Sequence, residues 1–98
     1  MSQSPRVFHA YILRCSDGSY YVGHTKDLGG RVDAHNAGRG AVYTIQRRPV
    51  ELAHAESFDS EIEAIQRERQ IKRWSKSKKD ALIRGDMKAL KVLSQSRD

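Results

Sequence analysis

The sequence predicts a small α+β domain on a mostly antiparallel sheet, with elements in the order ββαβααα. Three observations point there. Two segments rich in β-branched and aromatic residues flank a Ser-Asp-Gly turn near the start of the chain. A capping box opens a helix in the second half, and a glycine closes one helical segment just before a new cap begins. Ninety-eight residues, 38% apolar and 31% charged, leave room for one core and one domain. No run approaches the roughly eighteen apolar residues of a membrane-spanning helix. Residues 1–6 lack the apolar region of a secretory signal, and Cys15 is the lone cysteine, which excludes an internal disulfide or a cysteine-rich zinc site. The expectation is a cytoplasmic chain with no membrane partner.

Each element has a local reason. Val7 to Arg14 reads as a strand, and Ser19 to His24 as a second. Asp27 is a good N-cap for a helix through Leu28, Val32 and His35 that stops before Gly38, although Gly29 and Gly30 loosen its first turn. An irregular basic stretch runs from Gly38 to Pro49. Val50 to Phe58 is a third strand. Ser60-Glu61-Ile62-Glu63 caps the strongest helix, which ends near Trp74. Lys76 to Arg84 is another helix, closed by Gly85, and Asp86 caps a last amphipathic helix with Met87, Leu90 and Leu93 at helical spacing.

The first hairpin has two possible registers. A two-residue Asp17-Gly18 turn pairs Tyr11 with His24 and sends Tyr11 and Tyr21 to opposite faces. A three-residue Ser16-Asp17-Gly18 loop, with Gly18 left-handed, pairs Tyr11 with Gly23 and gathers both phenols on one face. The second register is expected.

Charge is concentrated late in the chain. The net charge is +6, yet residues 67–98 hold eleven basic and four acidic residues, whereas residues 1–66 hold seven and eight. Such a segment suits a phosphate backbone, the alternative being a solvated face that keeps the protein soluble. Arg39, Tyr43, Arg47, Arg48, Lys72, Arg73, Lys76, Lys78 and Lys79 are the candidate nucleic-acid contacts.

Glu68 sits near the middle of an apolar stripe of Ala64, Ile65 and Ile71, where a carboxylate needs a cation, a donor or a metal. The alternative is an exposed Glu paired with Lys72 one turn on. Arg31 and His35 stand one turn apart on the first helix. The first is a natural phosphate clamp and the second a group able to move protons near neutral pH. Cys15 reads as structural, and His54 as part of the third strand's surface.

In chain order, His9-Ala10-Tyr11, Tyr21-Val22-Gly23, Arg31, His35 and Glu68 resemble the GIY-YIG endonuclease superfamily, with spacings of ten, ten and thirty-seven between Tyr11, Tyr21, Arg31 and Glu68. Ala10 to Cys15 and Arg47 to Leu52 resemble its small single-domain bacterial branch. The resemblance covers residues 8–84 of a single domain and leaves a short helix and tail over 85–98. It implies a three-stranded antiparallel sheet flanked by helices, and cleavage of phosphodiester bonds with one divalent metal, Mg²⁺ or Mn²⁺. By the same resemblance Glu68 holds the metal and Tyr21 helps deprotonate the attacking water. Tyr11 binds phosphate or metal-bound water, Arg31 stabilises charge on the phosphate, and His35 assists. His24, after the second half-motif, has no assigned role.

The leading expectation is thus a metal-dependent endonuclease acting on DNA, nicked or branched, structure-directed or weakly sequence-specific, with RNA left open. The rivals are a nucleic-acid-binding module with little or no cleavage, and a protein-interaction domain docking an acidic partner. Convergence of Tyr11, Tyr21, Arg31, His35 and Glu68 on one cleft separates the first two from the last.

Overall fold

The run Ala10-Tyr11-Ile12-Leu13 is apolar at every position, so a strand carrying it has to be covered on both faces. In the computed structural model, which describes residues 7–94, that strand is the middle one of three. The elements are β1 (Phe8–Arg14), β2 (Tyr20–Thr25), α1 (Leu28–Asn36), α2 (Val42–Ile45), β3 (Glu51–Phe58), α3 (Glu61–Lys72), α4 (Lys76–Arg84) and α5 (Met87–Ser94). The sheet is antiparallel with order β2-β1-β3, and Ala10, Ile12 and Leu13 are wholly buried. The expected order ββαβααα holds, with one addition: α2, a four-residue helical turn inside the stretch expected to be irregular. Residues 1–6 and 95–98, the latter including the basic Arg97, lie outside the described residues.

The three-residue turn forms. Gly18 adopts φ +85, where a side chain would be strained, and Cys15 N–H donates to the Ser19 carbonyl at 2.8 Å. Tyr11 consequently pairs with Gly23 and Leu13 with Tyr21. The pleat then sorts the core. Tyr11, Leu13 and Cys15 face Val50 and the α1 residues Leu28 and Val32, whereas Ile12 and Val22 face Ile71, Trp74, Leu82 and Ile83 of the later helices. A bulge in β3 shifts register between Ile12 and Leu13, with Ile12 opposite His54 and Leu13 opposite Leu52.

Caps hold the helices at their expected starts. Asp27 accepts from Gly30 N–H, so the two early glycines of α1 sit within a capped turn. Ser60 accepts from Glu63 N–H, Ser75 from Lys78 N–H and Asp86 from Ala89 N–H, and Gly85 closes α4 in the left-handed conformation.

A half-buried polar network ties β3 to α3. Glu56 accepts from Arg67 at 2.8 and 3.1 Å and from His54 at 2.8 Å. His54 is thus engaged with a neighbour on its own strand rather than standing free on the surface. Burial alone would raise the Glu56 pKa, but Arg67 and His54 outweigh it and hold the carboxyl below its usual range. A Glu depressed in this way stabilises the fold above its unfolded pKa of about 4.3, and the contribution is lost as pH falls through the lower folded value. Glu56→Gln is expected to cost about 1–2 kcal/mol at pH 7, read by urea denaturation. The gap from wild type should narrow as pH falls below the usual glutamate range and close once the native carboxyl is protonated as well.

Candidate active site

Tyr11, Tyr21, Gly23, His24, Arg31 and Glu68 line one pocket of about 250 Å³. At ~30 Å³ per water this is room for on the order of eight waters, or for a phosphodiester group with part of its hydration. Residues from β1, β2, α1 and α3 therefore meet at one place. Of the five expected catalytic residues, four reach the pocket. His35, the fifth, stands behind Tyr11 and is 1% exposed.

The two tyrosines share a face, with ring centroids 6.4 Å apart. Tyr11 sits opposite Gly23, and a Cβ built at Gly23 would lie 2.6 Å from the Tyr11 hydroxyl oxygen. Only the absence of a side chain at 23 lets this phenol cross the neighbouring strand. Burial above all, and then the neighbouring Tyr21, pushes the Tyr11 pKa well above the usual phenol range, with Arg31 pulling the other way. Tyr11 therefore remains a neutral phenol, suited to hydrogen bonding and not to acting as a phenolate base. Its hydroxyl lies 3.2 Å from His35 Nε2. Burial, followed by the Arg31 charge, lowers the His35 pKa and keeps that ring neutral.

Glu68 arrives from the other side of the sheet. The pleat places His24 on the same face as Val22, towards α3, and Glu68 Oε1 accepts from His24 Nδ1 in a close hydrogen bond. Lys72 Nζ stands 2.6 Å from Glu68 Oε2, so the carboxylate lines the pocket and also pairs with Lys72. Of the alternative reading of Glu68, the pairing with Lys72 forms, whereas the exposure does not. Burial would raise the Glu68 pKa, but Lys72 and His24 outweigh it and hold the group ionised. Among the described residues Glu68 is the one carboxylate lining the pocket, with its side chain 12% exposed. Among the described residues no group of three or more His, Cys, Asp and Glu side chains is placed to hold a metal ion. The donor set thus suits a hard cation that keeps most of its waters, such as Mg²⁺ or Mn²⁺, and not a site built wholly from protein ligands.

The remaining nominated residues divide. Tyr43 stacks on Tyr21 at 6.2 Å, and the Arg47 guanidinium lies 3.9 Å from the Tyr43 ring centroid. Arg47 also donates to Asp17 in the hairpin turn and to the Tyr43 carbonyl. Arg48 donates to the carbonyls of Ile45 and Asn36. Lys78 is 6% exposed, with its ammonium 4.3 Å from the Trp74 ring centroid. Lys76 lies over Tyr20 and 3.8 Å from Asp80, and burial lowers the Lys79 pKa. Arg39 and Arg73 are exposed. His24, which received no role from sequence, is one addition; Thr44 is the other, since its hydroxyl, which beside Tyr43, Arg47 and Arg48 in sequence suits a grip on a nucleic-acid backbone, is wholly buried against His35. Strand alternation gives a signal for the first, since it puts His24 on the face α3 covers; nothing local marks the second as buried. Gly23→Ala is expected to destabilise the fold by about 1–3 kcal/mol in urea denaturation, because the new methyl displaces the buried Tyr11.

Comparisons with known proteins identify the family and the fold. Residues 7–80 match the GIY-YIG catalytic domain. A UPF0213 protein of Halobacterium salinarum is 55% identical over 77 residues, which are 79% of this chain and 100% of that protein. A UPF0213 protein of Bacillus pumilus is 51% identical over 73 residues, 74% of each chain. Among solved structures, a UPF0213 protein from Bacillus halodurans superposes with TM-score 0.51 at 41% identity, covering 78% of this chain and 81% of its own. A protein from E. faecalis gives TM-score 0.57 at 33% identity, covering 88% and 92%. With its half-motifs paired across β1 and β2 and its Arg and Glu converging on them, the chain belongs to the GIY-YIG catalytic-domain family, alongside these small UPF0213 proteins.

Proposed function

We propose that the protein is a metal-dependent endonuclease that hydrolyses phosphodiester bonds in DNA, structure-directed or weakly sequence-specific. The observation that carries this reading is the convergence of Tyr11, Tyr21, Arg31 and Glu68 on one small pocket that no single element could build. Glu68 is the residue that would hold Mg²⁺ or Mn²⁺. A divalent cation bound there supplies charge on the phosphate oxygens and a more acidic water.

The chain's own residues supply the rest. Arg31, exposed on α1 at the pocket's edge, presents a fork of donors to the oxygens of the scissile phosphate and stabilises the charge that grows on them. Tyr21 helps deprotonate the attacking water by relay, taking the water's proton as its own hydroxyl proton passes to solvent, with Tyr43 stacked against its ring to hold its orientation. Tyr11, neutral and pinned by Gly23 and His35, helps place that water. His24 holds the Glu68 carboxylate from behind. Lys72 neutralises Glu68 and would give up one carboxylate oxygen where Glu68 held a cation.

Cleavage of nicked, branched and linear DNA in Mg²⁺ or Mn²⁺ tests the reading. Glu68→Ala and Arg31→Ala are each expected to lower the rate on the order of 10²-fold or more. Activity surviving Glu68→Ala would remove the metal-ligand assignment. DNA binding without cleavage by either the wild type or the variants would leave a binding module, and no binding at all would favour a protein-interaction domain.

A further inference from the structure

Behind the pocket a line of buried hydrogen bonds connects the site to α2. Tyr11 Oη lies 3.2 Å from His35 Nε2, and His35 Nδ1 lies 2.8 Å from Thr44 Oγ1. Thr44 Oγ1 in turn lies 2.9 Å from the carbonyl oxygen of Ala41. All three residues are at most 2% exposed, so His35 and Thr44 take their hydrogen-bond partners from the protein itself.

The direction of each bond follows from counting protons. A threonine hydroxyl carries one proton, and a carbonyl oxygen can only accept. Two oxygens 2.9 Å apart with no proton between them would repel, so the Thr44 hydroxyl donates to Ala41. Thr44 Oγ1 then has only lone pairs to offer His35, and Nδ1 must carry the hydrogen. The Ala41 N–H also reaches this nitrogen, in a longer bond of 3.4 Å, so the proton on Nδ1 rests on the shorter 2.8 Å contact to Thr44 outweighing it. A neutral imidazole protonated on Nδ1 is bare on Nε2, and a bare Nε2 facing a phenol takes that phenol's hydrogen.

We propose that Thr44 is a positioning residue of the site: by accepting from His35 Nδ1–H it turns the Tyr11 hydroxyl proton inward, so that Tyr11 meets the pocket as an acceptor only. The consequence for the chemistry rests on the hydrolytic reading above, whereas the bond directions do not. An acceptor cannot bind an anionic phosphate oxygen, so of the two roles open to Tyr11 this excludes the phosphate contact. Tyr11 instead accepts from the attacking water and aims it, while Arg31 is the donor that meets the phosphate. The same helical turn carries Tyr43 against Tyr21, so α2 orients both phenols although it contributes no lining residue to the pocket.

Nitrogen NMR of the uniformly ¹⁵N-labelled protein tests the bond directions without any substrate. The two ring nitrogens of neutral histidine differ in shift, and their couplings to the ring carbon-bound hydrogens assign the protonated one. The wild type is expected to show His35 with its proton on Nδ1; a proton on Nε2 would overturn the proposal whether or not the protein cleaves DNA. Thr44→Val, near-isosteric but unable to accept, should lose the pure Nδ1–H form and lower kcat roughly tenfold or more with KM changed less than about twofold. Thr44→Ser should restore both the tautomer and most of the rate. A Thr44→Val protein with wild-type tautomer and kcat would also overturn it. Should Thr44→Val fail to fold, the wild-type tautomer and the Thr44→Ser comparison still decide. Absence of cleavage by the wild type would remove the nuclease reading while the tautomer still judged the bond network.

Discussion

Tyr11 and Gly23 face each other across the β1–β2 ladder, and the space a side chain at 23 would fill is taken by the Tyr11 hydroxyl. That crossing depends on the hairpin register, which the left-handed Gly18 sets through a three-residue turn. Because side chains alternate along a strand, a slip of one residue would carry Tyr11 away from Tyr21 and turn His24 from α3 towards α1. The crossing therefore organises both walls of the pocket. On one face Tyr11 reaches His35 and Tyr21 reaches Tyr43; on the other, His24 meets Glu68.

Charge near the pocket is arranged more economically than a net of +6 suggests. Several of the basic residues that give the chain its surplus are committed internally: Arg47 and Arg48 to backbone carbonyls and Asp17, Arg67 to Glu56, Lys72 to Glu68, Lys78 to the Trp74 face. Their charge still contributes to the field, and part of their hydrogen-bonding capacity is already taken. Arg31 is different, lying exposed at the pocket's edge within reach of an incoming anion. Glu68 keeps its charge in a partly shielded place because Lys72 and His24 offset the cost of burial.

Local signals made most of the fold legible. The turn at Ser16-Asp17-Gly18, the caps at Asp27, Ser60 and Asp86, and the stop at Gly85 each act through the backbone within a few residues, so sequence order alone displays them. The α2 turn escaped because four residues are too few to show a helical period, and Thr44 and Arg47 hold it through distant partners. His35 was legible as a residue on the edge of the apolar face of α1, but not as a buried link. Its burial depends on α2 folding over it, which the periodicity of α1 does not encode.

The sequence by itself determined the β1–β2 register, the boundaries of the helices other than α2 and the spacing that sets Tyr11, Tyr21, Arg31 and Glu68 in order, because turns, caps and alternation are short-range and act through few dihedral angles. Only the tertiary structure decided which cations stay free, that Lys72 and His24 share Glu68, and that His35 serves Tyr11 from behind instead of facing the pocket. Those outcomes depend on which side chains compete for the same partner once the faces are packed, and residues such as His35 and Thr44, or His24 and Glu68, meet only through the fold.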